Sequence, residues 1–172
     1  MARNVVLVGF SGAGKTTIGR ELALHLGFEF VDLDAAIEEK YHATIPHIFQ
    51  KYGESVFRQC EYQTMKKLLK GQGMVIAAGG GAPANQDAMQ LMNANAVTVY
   101  VDLSEETLVQ RLKNSKKERP LTASLTEEQL VEYVHDRLEQ RLPFYRKAQL
   151  TVSEEKVNAE YLYDCICHLL AK

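Results

Sequence analysis

The chain has 172 residues, 46% of them hydrophobic and 24% charged, with a formal net charge of -2. That make-up suits a single folded domain with its own core, and it excludes disordered or fibrous classes and any electrostatic case for nucleic acid or an anionic membrane as partner. Cys60, Cys165 and Cys167 are an odd count that points to a reducing, cytoplasmic setting, MARNVVLVGF is too short an apolar run for a signal-peptide core, and no stretch could span a bilayer.

In chain order, NVVLVG (4–9) reads as a buried strand. It runs into GFSGAGKT, Gly9 to Thr16, which matches G-x-x-x-x-G-K-[ST] between a strand and a helix. Glycines there let backbone N–H groups of Gly12, Ala13 and Gly14 face an anion, and the helix N-terminus adds its dipole. Lys15 is placed to reach the β- and γ-phosphates of a nucleotide, and the Thr16 hydroxyl to ligate Mg²⁺. Ile18, Leu22 and Leu26 then repeat on one helical face, closed by Gly27 as a C-cap.

FEFVD (28–32) is the second expected strand. Carried on through FVDLDAAI, a strand would send Asp32 and Asp34 to one face, at the carboxyl end where parallel sheets bind ligands. A metal–phosphate site there would supply the positive charge that two neighbouring carboxylates need. Thr44 reads as an N-cap with Pro46 inside a short helix, and a longer helix is expected from about Glu54 to Leu69, stopping at Gly71. MVIAA (74–78) is a third strand, closed by Gly79, Gly80 and Gly81, which suit a tight turn or a close ligand approach equally well.

AVTVYV (96–101) is the fourth strand; Asp102 after it is a rival metal ligand, although it fits the start of the next helix better. Ser104 opens that helix. KNSKKERPLTAS (113–124) has charge without apolar periodicity and reads as a solvated, movable loop. Thr126 and Gln129 have capping-box spacing, QLTV (149–152) is a short fifth strand, and Asn158 to Leu170 is a terminal helix. Strands alternating with helices predict an α/β fold, a five-stranded parallel sheet covered on both faces. The histidines show no metal-binding spacing with the cysteines.

Spacing alone makes Arg58, with Glu54 four residues before and Glu61 three after, a solvated ion-pair network. Phe49 and Phe57 would be core, and Arg137 and Arg141 share a helix face, Arg137 as a surface pair.

Taken together, GFSGAGKTT, DLD, GESVFRQCE, GGG, RPL and RLPFY, in this order, resemble shikimate kinases over nearly the whole chain. The resemblance implies a P-loop kinase fold with a substrate-binding segment at about 33–61 and a lid at about 113–124. It implies Mg²⁺-dependent transfer of the γ-phosphate of ATP to the 3-hydroxyl of shikimate, in aromatic amino acid biosynthesis, by a monomer. Lys15, Asp34 and Arg119 would be catalytic. ATP would lie on Gly12, Ala13, Gly14, Lys15, Thr16 and Thr17, with Arg111 beside the adenine and Arg119 closing from the lid. Thr16 and Asp32 would hold the metal. Asp34, Arg58, Glu61, Gly79, Gly80, Gly81 and Arg141 would bind shikimate between the apolar walls Phe49 and Phe57. Ala78, where many members carry a hydroxyl, and Thr122, where a second leucine is commoner, depart from the family pattern. The alternatives are another small-molecule P-loop kinase, acting on gluconate or a nucleoside monophosphate, and a nucleotide-binding regulator without catalysis.

Overall fold

Strand β1 (Asn4–Val8) is buried along its whole length, and this sets the architecture of the computed structural model. A strand buried on both sides must be flanked by strands and covered above and below. Residues 3–115 and 125–170 are described. Within them the sheet is parallel throughout, in the order β2-β3-β1-β4-β5, with β2 Glu29–Asp32, β3 Met74–Ala77, β4 Ala96–Asp102 and β5 Leu150–Ser153. The pleat divides β1 between two cores. Val5 and Leu7 join the layer under helices α1 (Lys15–Leu26) and α7 (Ala159–Leu170), with Ile18, Leu22, Leu162 and Ile166.

Val6 and Val8 face the opposite layer. That layer is built from α2 (Leu33–Tyr41), α3 (Ile45–Leu68), α4 (Ala88–Asn95), α5 (Glu105–Lys113) and α6 (Glu127–Tyr145). The expected five-stranded parallel sheet with helices on both faces is therefore present. Gly19 lets α1 sit close: a β-carbon there would fall 2.7 Å from the Phe30 ring.

Most helix boundaries follow the local signals. Gly27 ends α1 in the left-handed region at φ 66°, Thr44 caps α3 on His47 N, and Ser104 caps α5 on Thr107 N. Thr126 and Gln129 form the reciprocal capping box of α6. The short and long helices expected around residue 53 run end to end, broken at Gly53, whose φ of 83° and ψ of 171° interrupt the helical ladder.

Two readings need correction. Asp34 is not a strand residue beside Asp32, because β2 stops at Asp32 and α2 begins at once. Asp32 becomes the N-cap of α2, its carboxylate accepting from Asp34 N and Ala35 N, and Asp34 turns into the first helical turn. Asp102 ends β4 and accepts from the Tyr100 hydroxyl at 2.9 Å, while Ser104 starts the helix. Among the described residues no helix is long and apolar enough to cross a membrane.

Candidate active site

The loop from β1 to α1 is shaped by backbone angles that side chains rarely adopt. Gly9 has φ 146°, and a β-carbon there would lie 2.8 Å from the Val101 carbonyl; Gly12 and Gly14 have φ 88°. Ala13 is buried and its N–H donates to the Phe10 carbonyl. Lys15, also buried, lies across the loop and donates to the carbonyls of Gly9 at 2.8 Å and Phe10 at 2.7 Å. Thr16 donates through its hydroxyl to Asp32 Oδ2 at 2.9 Å, so the loop and the end of β2 are tied together. Thr17 is on the exposed side of the first turn of α1.

Arg111, from α5, donates to the Ala13 carbonyl at 3.2 Å and lies against Gly14. A cavity of about 290 Å³ opens here, lined by Gly12, Gly14, Lys15, Thr16, Asp32, Asp34, Gly79, Gly80 and Arg111. A second hollow, about 420 Å³, runs along α5 from Glu106 to Asn114 and shares Arg111 with it. Ala78 is buried behind the first cavity, its N–H bound to the Leu7 carbonyl, and a methyl stands where a hydroxyl could have reached in.

The glycine loop after β3 is a tight turn, Ala82 N–H donating to the Gly79 carbonyl at 3.1 Å, and other side chains come close to it. A β-carbon on Gly79 would lie 2.8 Å from Glu61 Oε1 and 3.1 Å from Asp34 Oδ1. On Gly80 it would lie 3.0 Å from Ser11 N and 3.3 Å from Arg141 Nη1, and on Gly81 2.6 Å from Arg58 Cζ. Real β-carbons do not approach atoms at the shortest of these distances. Three consecutive missing side chains thus admit side chains from α2, α3 and α6 to one short stretch of backbone.

Arg58 is held as its spacing predicts, by Glu61 at 2.8 Å and Glu54 at 3.2 Å. Only the Glu54 end of this network is solvated, as expected; the Glu61 end is not, with Glu61 1% exposed. Burial is the largest influence on both groups. It pushes the Glu61 carboxyl above the usual range, helped by the nearby Asp34 and opposed by Arg58 and Arg141. Burial acts to lower Arg58, but the carboxylates of Glu61 and Glu54 outweigh it and hold the guanidinium above its ordinary value. Phe49 and Phe57 pack at 4.6 Å between centroids, and Arg58 lies 5.2 Å from the Phe57 ring centre.

Arg141 lies over the ring of Phe10 at 5.5 Å, and none of the ion pairs formed among the described residues engages it. Arg137 stacks on Tyr133 at 5.7 Å on its own helix, in place of the expected surface ion pair. Phe10, Ser11 and Ser115 also belong to the site, although nothing in their own residue types marked them. Arg119 and Thr122, with the lid from residue 116 to 124, lie outside the described residues.

A family model described as shikimate kinase matches residues 11–170. The chain belongs to the shikimate kinase family. A shikimate kinase of Parabacteroides distasonis is 42% identical over 158 residues, covering 92% of this chain and 91% of its own. The crystal structure of shikimate kinase from Bacteroides thetaiotaomicron superposes with a TM-score of 0.89 at 33% identity, over 99% of each chain. Shikimate kinase from Acinetobacter baumannii, solved in complex with shikimate, gives 0.87 at 37% identity, over 99% of this chain and 94% of that one. Shikimate kinase structures therefore share the overall fold of this chain, a parallel sheet with its helices.

Proposed function

We propose that this shikimate kinase family member transfers the γ-phosphate of ATP to the 3-hydroxyl of shikimate, with both substrates meeting in the cavity between the phosphate loop and the glycine loop. One observation carries the reading. Asp34, Glu61, Arg58 and Arg141 converge on Gly79–Gly81, directly across from the loop that carries Lys15.

Lys15 and the N–H groups of Gly12, Gly14, Thr16 and Thr17 would hold the phosphates, while Ala13, whose N–H is given to the Phe10 carbonyl, would shape the loop, with Arg111 at the adenine end and Arg119 reaching in from the lid. Thr16 and Asp32 present two hard oxygen donors side by side, a set that fits Mg²⁺, which needs only one or two protein ligands beside substrate phosphates. When bound, Mg²⁺ would neutralise charge on the phosphate oxygens. Asp34 would orient the acceptor hydroxyl and take its proton. An ordinary carboxylate cannot deprotonate an alcohol beforehand, but in a loose phosphoryl transfer the proton can leave late, so orientation counts for more.

Arg58, fixed by Glu61, and Arg141 would grip the carboxylate as two planar forks, with Phe49 and Phe57 excluding water beside the ring. The setting we infer is a single-domain, monomeric, cytoplasmic enzyme, in keeping with three free cysteines. The test is an ADP-release assay over a panel of acceptors. Shikimate should support turnover well above gluconate or nucleoside monophosphates, with phosphate on the 3-hydroxyl by NMR. Preference for another acceptor would overturn the substrate; tight ATP binding without turnover on any acceptor would point to a regulator instead.

A further inference from the structure

Tyr145 is the last residue of α6 and is 0% exposed, which is unusual for a phenol at a helix end beside a polar cleft. Its ring stacks on Tyr100 of β4, with centroids 5.2 Å apart and planes 28° apart. The Tyr100 hydroxyl points away to Asp102, so the pair divides its polar ends between two places. The Tyr145 hydroxyl donates to the Gly80 carbonyl at 2.5 Å, across 65 residues of sequence.

Arg141 is one turn earlier on the same helix, and its positive charge lies near enough to the phenol to work against the upward push of burial on that hydroxyl. Arg141 also lies beside Gly80, its Nη1 3.3 Å from where a side chain there would begin. A buried hydroxyl that donates to a fixed backbone carbonyl has little freedom to rotate, and its lone pairs are left for a neighbouring donor. One oxygen is therefore anchored to the backbone that lines the phosphate cavity, at the very residue beside which the Arg141 guanidinium lies.

We propose that Tyr145 is a positioning residue for acid recognition: its hydroxyl links the Gly80 carbonyl to Arg141, and so fixes the offset between the bound carboxylate and the transferred phosphate. This rests on the functional reading above. The ring alone would fill the core; the hydroxyl adds register. Without it, Arg141 keeps its charge but loses one of the contacts that aims its fork.

Tyr145→Phe keeps the ring and its stack on Tyr100, and removes only the oxygen. In the full chain, shikimate affinity by calorimetry and shikimate KM should both weaken about tenfold, as for a lost charge-assisted contact, while the KM for ATP stays within twofold. In an Arg141→Ala background the same change should alter shikimate affinity less than twofold, since the hydroxyl acts through that arginine. Tyr100→Phe, which removes the hydroxyl aimed at Asp102, should leave shikimate binding within twofold of the unaltered chain.

Unchanged shikimate parameters in Tyr145→Phe, or losses that multiply independently with Arg141→Ala, overturn the proposal. An unaltered chain that neither binds nor phosphorylates shikimate overturns the functional reading and this inference together, so the two failures are distinguishable. Should Tyr145→Phe not fold, the unaltered protein carrying ¹³Cζ-tyrosine supplies the readout. The Tyr145 resonance should shift on adding shikimate and not on adding a carboxylate-free analogue; an unmoved resonance sinks the idea.

Discussion

Gly81 shows how little room the acid side of the cleft leaves. A methyl there would sit 2.6 Å from Arg58 Cζ, against a guanidinium already pinned by Glu61 and Glu54. Gly81→Ala should raise the KM for shikimate about tenfold or more through the displaced fork, and leave the KM for ATP within twofold; steady-state kinetics on both substrates decides. Asp34 belongs to the reacting side. Asp34→Asn should cut kcat by about 10²–10⁴-fold, the range for a lost general base, with nucleotide affinity within a few-fold; near-normal turnover would remove it from that role. Tyr145 gives a pH signature in stability. Burial pushes its hydroxyl up to about 12, whereas an unfolded tyrosine ionises near 10. The folded form holds the proton more tightly, so this contribution is complete below about pH 10 and is lost as the pH rises through about 12. Urea unfolding of the unaltered chain and of Tyr145→Phe should show their stability difference shifting against the unaltered chain by about 3 kcal/mol across that window. Lys15 and Thr16, read as phosphate and metal ligands, rest here on the carbonyls of Gly9 and Phe10 and on Asp32. The partners of Arg58 could be read from the sequence because Glu54 and Glu61 lie at helical spacing from it. The Tyr145–Gly80 bond could not, since no local pattern connects residues so far apart in the chain.

Elements were legible where a boundary residue has a local job. Thr44, Ser104, Thr126 and Gly27 cap helices through their own side chain or backbone, and each was placed from its neighbours alone. Helix α2 escaped because Asp32 serves twice, as the last strand residue and as a cap, so the alternation of FVDLD reads on past the point where the chain turns. Helix α4 escaped because Asp87 makes no side-chain cap bond, its carboxylate accepting from the distant Tyr62 hydroxyl instead, so no local signal marks where the helix starts. The break in α3 is testable. At Gly53 nothing lies within 4 Å of an added β-carbon, so Gly53→Ala reports the backbone alone. With φ 83° and ψ 171° the angles suit only glycine, at a cost of about 1–3 kcal/mol for any other residue. Calorimetry should show Tm falling by about 2–4 °C per kcal/mol of that cost; no fall would mean the segment relaxes freely.

At the scale of the whole molecule, the strand order puts β1 at the centre, with β3 and β4 on either side of it. The phosphate loop and the glycine loop leave neighbouring strands at their carboxyl ends, which brings two ligands to one cleft without a second sheet. Ligands that bind the folded chain alone should stabilise all of it together. At a hundred times its Kd, ATP or shikimate should add about 2.7 kcal/mol, several degrees of Tm by thermal shift, and an acceptor without affinity should add nothing. The loop Gly79–Gly81 has a further consequence. Its backbone is crowded by side chains from α2, α3 and α6 and, at Gly80, by Ser11 N, so any side chain written into it displaces a group lining the cleft. A randomised library over those three positions should yield almost no survivors under selection. Altered appetites for other hydroxy acids would instead emerge from mutating the surrounding helices, where the chain keeps its editable text.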